Sequence, residues 1–250
     1  MNRHVHAISQ RLSLRAPQKE SLEILDQVFS ATGLPKESPS LETALAIIRE
    51  HFPTVEDFER DFPSLCFSLA TGVGKTRLLG AFITYLHLAH GIRNFFVLAP
   101  NLTIYEKLIA DFSPNTPKYV FKGIAEFAVE SPWLITGDNY EDYRGQSDLY
   151  GRVEINIFNI SKLNRDAKAT KKGGPRIRNL QETLGESYFD HLKALPDLVL
   201  IMDESHRYRA DAGVRALNEL KPLIGLELTA TPFLDRAGGP SWFKNIIYDY

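Results

Sequence analysis

The hexapeptide Thr71-Gly72-Val73-Gly74-Lys75-Thr76 follows an apolar run and precedes a helical pattern. Glycines at such a place let backbone N–H groups wrap around an anion without side chains in the way. A lysine beside them reaches outer phosphates, a hydroxyl offers magnesium a ligand, and the helix adds the positive end of its dipole. Gly72 and Gly74 supply the turn, Lys75 the cation and Thr76 the metal ligand. The strict spacing G-x-x-x-x-G-K-[ST] is not met, because Leu69 stands at the first glycine position. Far along the chain, the apolar residues 198–202 end directly in Asp203-Glu204-Ser205-His206. Adjacent acids at a strand tip suit phosphoryl transfer, Asp203 holding a divalent ion and Glu204 orienting or deprotonating water. Alone, the pair would be read as a helix N-terminus; together with Lys75 and Thr76 it is read as chemistry. A third piece, Thr229-Ala230-Thr231-Pro232, closes another apolar run. Its hydroxyls are placed to bond neighbouring loops, His206 among them, or simply to cap a strand end before a proline stop.

These residues need elements to hold them. Short apolar runs at 65–69, 95–99, 153–158, 198–202 and 223–228 alternate with longer amphipathic stretches such as 76–89 and 102–112. Runs that stay apolar at successive positions suit strands covered on both faces. The alternation predicts an α/β domain whose mostly parallel sheet carries helices on both faces. Ligands then gather at the edge formed by the strand C-termini. Upstream, Leu22, Leu25, Val28 and Phe29 recur at helical spacing, as do Leu41, Ala44, Leu45, Ile48 and Phe52. Gly33-Leu34-Pro35 breaks the two helices apart, and Ser40 is the expected N-cap of the second. A short helical lead-in over residues 1–60 therefore precedes the sheet domain of residues 61–250.

Composition bounds the rest. With 29 Lys+Arg against 31 Asp+Glu the 250-residue chain has a formal charge of −2, so nucleic-acid binding must rest on local patches. A 44% apolar, 24% charged composition is that of a globular protein rather than a disordered one. No apolar run reaches membrane-spanning length, and the single cysteine, Cys66, fits a reducing compartment. Arg3, Arg11, Arg15 and Lys19 precede the first acid and superficially resemble a transit peptide; they are read as a structured lead-in. The basic stretch 165–178 reads equally as a solvated insertion or as a contact for a polyanion. Trp133, Trp242 and the Tyr188-Phe189 pair are assigned to packing in preference to base stacking. The histidines show no metal-ligand spacing, so no zinc site is expected.

In this order and spelling, the three motifs resemble motifs I, II and III of superfamily 2 DEAD/DEAH-type helicases. The words LATGVGKT, IMDESHRYRA and LTATPF are most similar to the restriction (helicase) subunit of type III restriction enzymes, in its N-terminal RecA-like domain. That resemblance implies a P-loop fold, ATP and Mg2+ as ligands, and a DNA-dependent motor ATPase. It implies that Arg15 and Gln18 of LRAPQKESLEIL lie at the adenine, and that Thr71 to Thr76 cradle the phosphates. His206, Thr229 and Thr231 would couple the nucleotide state to the nucleic-acid loops. Pro100 and Asn101 of VLAPN, with Asn159 and Ser161 of FNISKLN, would touch the nucleic-acid backbone; strand ends and helix caps explain the same residues equally well.

Ser205 and His206 stand where the RNA-helicase spelling has Ala and Asp, which favours duplex DNA over RNA. An RNA helicase and a nucleotide-switched interaction module remain the alternatives. A modification or defence-system subunit is an implied partner and the cytoplasm the implied location. In the resembled family a second motor domain, bearing an arginine finger, follows motif III, whereas this sequence ends at Tyr250. The segment is therefore expected to belong to a longer protein and to hydrolyse ATP weakly alone.

Overall fold

The computed structural model describes residues 2–36, 39–143, 151–159, 186–209, 211–236 and 238–250. Three helices lead in: α1 (Arg3–Arg11), α2 (Ala16–Thr32) and α3 (Leu41–His51). Then follow β1 (Ser64–Ser68), α4 (Lys75–His90), β2 (Asn94–Ala99), α5 (Leu102–Phe112), α6 (Ala125–Val129), β3 (Trp133–Thr136), α7 (Tyr140–Tyr143) and β4 (Glu154–Asn159). The chain continues through α8 (Glu186–Ala194), β5 (Val199–Asp203), a 3-10 turn (Ser205–Tyr208), α9 (Asp211–Glu219) and β6 (Ile224–Thr229). It closes with β7 (Phe233–Arg236), β8 (Gly239–Trp242) and β9 (Ile246–Asp249).

Seven strands form one sheet in the order β3-β4-β2-β5-β6-β1-β9, and all the neighbouring pairs run parallel. Strand periodicity explains the apolar runs. Phe95, Val97, Val199, Ile201, Leu226 and Leu228 face a core shared with α1 to α6. The intervening Phe96, Leu98, Leu200 and Met202 face a second core, which receives α8 and α9. From β1 the chain travels to the β3 edge by way of helices on the first face and returns to β6 on the second. Right-handed crossovers demand this switch of face when the direction of travel reverses. The sheet is thus a RecA-like α/β layer with helices on both sides, as the runs imply.

The lead-in shares the first core rather than standing apart. Val5, Ile8, Leu22, Leu25, Val28, Phe29, Ala44 and Ile48 are all buried within it. The Ser40 hydroxyl accepts from Thr43 N at 3.2 Å, the expected cap of α3. Gly33 ends α2 in the left-handed region at φ 75°, where a side chain would be strained. Among the described residues no helix is long and apolar enough to cross a membrane.

The run 223–228 holds one charged residue, Glu227, and it is fully buried. Its carboxylate accepts from Ser64 Oγ at 2.8 Å, Asn245 Nδ2 at 3.2 Å, Arg60 Nε at 3.3 Å and Arg209 Nη2 at 2.6 Å. Arg209 also pairs with Glu59 and lies over the Phe243 ring. Burial alone would push the Glu227 carboxyl up, but the two guanidiniums hold it down to about 2. The network ties the turn after β5 to the β1 entrance and to the segment that opens β9.

Candidate functional site

In a parallel sheet every strand delivers its C-terminus to one edge, so the loops after β1, β5 and β6 meet although they are far apart in sequence. These three strands are consecutive in the sheet, in the order β5-β6-β1. Leu69 extends the β1 ladder by one step, its N–H donating to Thr229 O at 2.8 Å while its side chain is buried. An apolar residue at the first glycine position thus anchors the loop instead of opening it.

The loop turns at Gly72 (φ 80°) and Gly74 (φ 96°), and α4 starts at Lys75. A Cβ at Gly74 would lie 2.6 Å from Gln18 Nε2, so glycine is required there both for backbone conformation and for space. Thr71 and Gly72 are exposed, while Val73 leans on the core. Gln18 stands at the start of α2, its Oε1 accepting from Arg15 N at 2.8 Å, half of a capping box. Its Nε2 donates to Gly74 O at 2.9 Å, and Arg15 Nη1 donates to Gly72 O at 3.2 Å. Arg77 Nη1 adds a bond to Leu12 O at 2.8 Å. The lead-in therefore clasps the glycine loop directly, and Gln18 and Arg15 reach the loop backbone rather than only its vicinity.

Lys75 points across the edge. Its ammonium lies 2.9 Å from Glu204 Oε1 and 3.4 Å from Leu69 O. Glu204, directly after β5, adopts a left-handed conformation (φ 52°). The Asp203 carboxyl is pushed up to about 6, chiefly by burial and then by the neighbouring Glu204 charge; Lys75 and Lys107 pull it down. His206 Nδ1 lies 3.0 Å from both Thr229 Oγ1 and Thr231 Oγ1 and 3.5 Å from Glu204 Oε2. Burial favours its neutral imidazole. The structure thus brings Lys75, Glu204, His206, Thr229 and Thr231 into one chain of contacts, with Thr76 and Asp203 alongside.

The donor set suits a magnesium ion. Magnesium keeps several waters and takes one or two carboxylates plus substrate phosphates rather than a full protein cage. Thr76 and Asp203 offer one hydroxyl and one carboxylate, and among the described residues no cluster of three or more His, Cys, Asp or Glu side chains offers more.

The raised Asp203 pKa carries a prediction. A carboxyl whose folded value lies near 6 contributes stability fully present below its unfolded value, near 4, and lost as the pH rises through 6. A shift of about two units corresponds to about 3 kcal/mol at most. Asp203→Asn should therefore raise the melting temperature in EDTA at pH 8, and the gain should vanish by about pH 4. Thermal melts across that range check it; an equal gain at both ends contradicts it.

Pro100 and Asn101 follow β2, and Asn159 ends β4, so all three lie further along the same strand-end edge. Asn101 is exposed and caps α5, its Oδ1 accepting from Ile104 N at 2.9 Å; Asn159 is buried. Ser161 and the basic stretch 165–178 lie outside the described residues. Tyr188 and Phe189 are buried in the second core, and Trp133 packs against Tyr143 and Arg152, whereas Trp242 is exposed beside Phe233. Sequence reasoning missed Lys107, whose ammonium donates to Thr76 Oγ1 at 2.9 Å. Within 102–112 it reads as one polar residue of an amphipathic helix, and no local signal sets it apart.

The family model described as type III restriction enzyme, res subunit, matches residues 11–234. The chain belongs to that family. A relative in Haemophilus influenzae, the probable type III restriction-modification enzyme HindVIP Res subunit, is 25% identical over 169 residues. The match covers 64% of this chain and 29% of that protein, so the chain spans less than a third of the relative's length. Among solved structures, a nuclease-deletion mutant of the type ISP restriction-modification enzyme LlaGI, in complex with a DNA substrate mimic, has a TM-score of 0.42 at 15% identity. It covers 78% of this chain and 17% of that one. The Sulfolobus solfataricus SWI2/SNF2 ATPase core in complex with dsDNA has a TM-score of 0.39 at 18% identity, covering 78% and 32%.

Proposed function

We propose that this type III restriction res-family chain is the ATP-binding and ATP-hydrolysing N-terminal motor segment of a DNA-dependent helicase or translocase, with residues 1–60 as its lead-in and 61–250 as its first motor domain. The observation that carries the reading is the 2.9 Å approach of Lys75 Nζ to Glu204 Oε1 across the sheet edge. A phosphate-loop cation and a carboxylate from a distant strand tip share one place, which is what a triphosphate site requires.

In this reading Thr71 to Thr76 wrap the phosphates and Lys75 leaves Glu204 to pair with the outer phosphates. Arg15 and Gln18 hold the loop from the adenine side. Thr76 and Asp203 would hold a magnesium ion, whose charge offsets that developing on the transferred phosphoryl group. Glu204, released from Lys75, accepts a proton from the attacking water. His206 carries the change at Glu204 to Thr229 and Thr231, and so to the loop after β6. Pro100, Asn101, Asn159 and Ser161 would meet the nucleic-acid backbone further along the edge. The spelling Ser205-His206 supports duplex DNA as that partner, with a modification or defence-system subunit as a further one. An arginine supplied from beyond this chain would raise turnover by orders of magnitude, so the isolated chain should release phosphate slowly.

Phosphate release by the full-length protein, with duplex DNA, with structured RNA and with neither, tests the reading. Duplex DNA should stimulate most, and its effect should weaken steeply with added salt, as phosphate-backbone contacts do. Stimulation by RNA alone would make the protein an RNA remodeller. Turnover indifferent to both would favour a nucleotide-switched interaction module.

A further inference from the structure

Lys107 projects from α5 onto the residue that the nucleotide reading assigns to the metal. Its ammonium donates to Thr76 Oγ1 at 2.9 Å and lies 3.8 Å from Asp111 Oδ2 one helical turn along. The side chain is 52% exposed, so it has room to change partners. Asp111, by contrast, is largely buried, and a partner held in place is one to which a lysine can return. An ammonium and a divalent cation a few ångström apart repel strongly, so the Thr76 hydroxyl serves one of them at a time. Lys75 has a different station on Glu204 and does not compete for this oxygen.

We propose that Lys107 is a second cation of the phosphate site and exchanges with magnesium at the Thr76 hydroxyl. With metal-free nucleotide, its ammonium stays beside Thr76 and pairs with the outer phosphates. When magnesium takes the hydroxyl, Lys107 withdraws to Asp111. The proposal rests on the nucleotide reading above and adds to it a residue that sets how strongly the site depends on the metal. Because the two cations exclude each other, removing Lys107 must weaken metal-free binding and strengthen metal binding by the same factor, provided that the affinity for the magnesium complex stays constant.

Equilibrium binding of a fluorescent ATP analogue to the full-length protein, first in EDTA and then across a magnesium titration, tests this with Lys107→Met, which keeps the aliphatic stem. A charge-assisted bond to phosphate is among the strong ones. Lys107→Met should therefore lose about tenfold or more in metal-free affinity and keep its affinity at saturating magnesium. The magnesium concentration at half-saturation of the nucleotide-bound protein should fall by the same factor. Equal loss with and without magnesium would make Lys107 an ordinary phosphate ligand and overturn the exchange. Unchanged binding in both conditions also overturns it. Lys75→Met separates the two levels: if that variant loses binding while Lys107→Met does not, only the exchange fails. If neither loses binding, the nucleotide site itself is wrong.

Discussion

Glu204→Gln in the full-length protein should lose about 10²–10⁴-fold in DNA-stimulated ATP turnover, the range that a positioned general base contributes. Glutamine keeps the shape of the side chain but cannot take the proton from water. The same substitution removes the ion pair that holds Lys75 at 2.9 Å, so the ammonium is freer to meet phosphate. Affinity for the nucleotide should therefore hold or tighten while turnover collapses. That opposite movement separates a chemical role from a structural one, since damage to the fold would weaken both. Phosphate release and equilibrium binding, measured on one preparation, decide it; turnover near the wild-type level contradicts the role given to Glu204.

Glu227→Ala should cost about 3–5 kcal/mol, the scale expected when one partner of a buried charged network is removed. Two guanidiniums, Arg60 and Arg209, would be left facing each other in the protein interior without the carboxylate that joins them. In a chain of this length that corresponds to a fall of about 10 °C in melting temperature. The pH dependence has the opposite sign to that of Asp203. Glu227 is held down to about 2, so its contribution is present above the unfolded value, near 4.3, and is lost only as the pH falls through 2. Wild-type melts between pH 5 and 8 should show no loss from this group. Because Arg209 follows the Ser205–Tyr208 turn, the alanine variant should also loosen the segment bearing Glu204 and His206. A Glu227→Ala protein that melts with the wild type would show that the network contributes nothing.

What the sequence disclosed and what it hid follow from the range of the interactions. The strands at 65–69, 95–99, 198–202 and 223–228 were legible within a residue or two because burial on both faces keeps nearly every position apolar, with Ser68 and Glu227 the polar exceptions. The edge strands β3 and β9 were not, because each is four residues long and only partly buried, and the β7–β8 hairpin has mostly exposed positions. Helix α1 was hidden by its arginines, which project from one side while Val5 and Ile8 pack on the other. The glycines of the loop, Lys75 and the acids after β5 stand out locally, because a tight turn before a helix and charges at the tip of a buried strand restrict residue type within a few positions. Glu227, Arg209 and Lys107 did not, because their partners lie elsewhere in the chain and nothing within a few residues signals the pairing. Gln18 is intermediate: the resemblance placed it beside the nucleotide, but only the fold shows its amide bridging the start of α2 and Gly74.

The most direct test of the shared site is an experimentally determined structure of the full-length protein with magnesium and a non-hydrolysable ATP analogue. The outer phosphates should lie within hydrogen-bond distance of the Lys75 ammonium, with the metal on Thr76 and Asp203 and Glu204 parted from Lys75. A nucleotide bound elsewhere, with the Lys75–Glu204 pair intact, would contradict it.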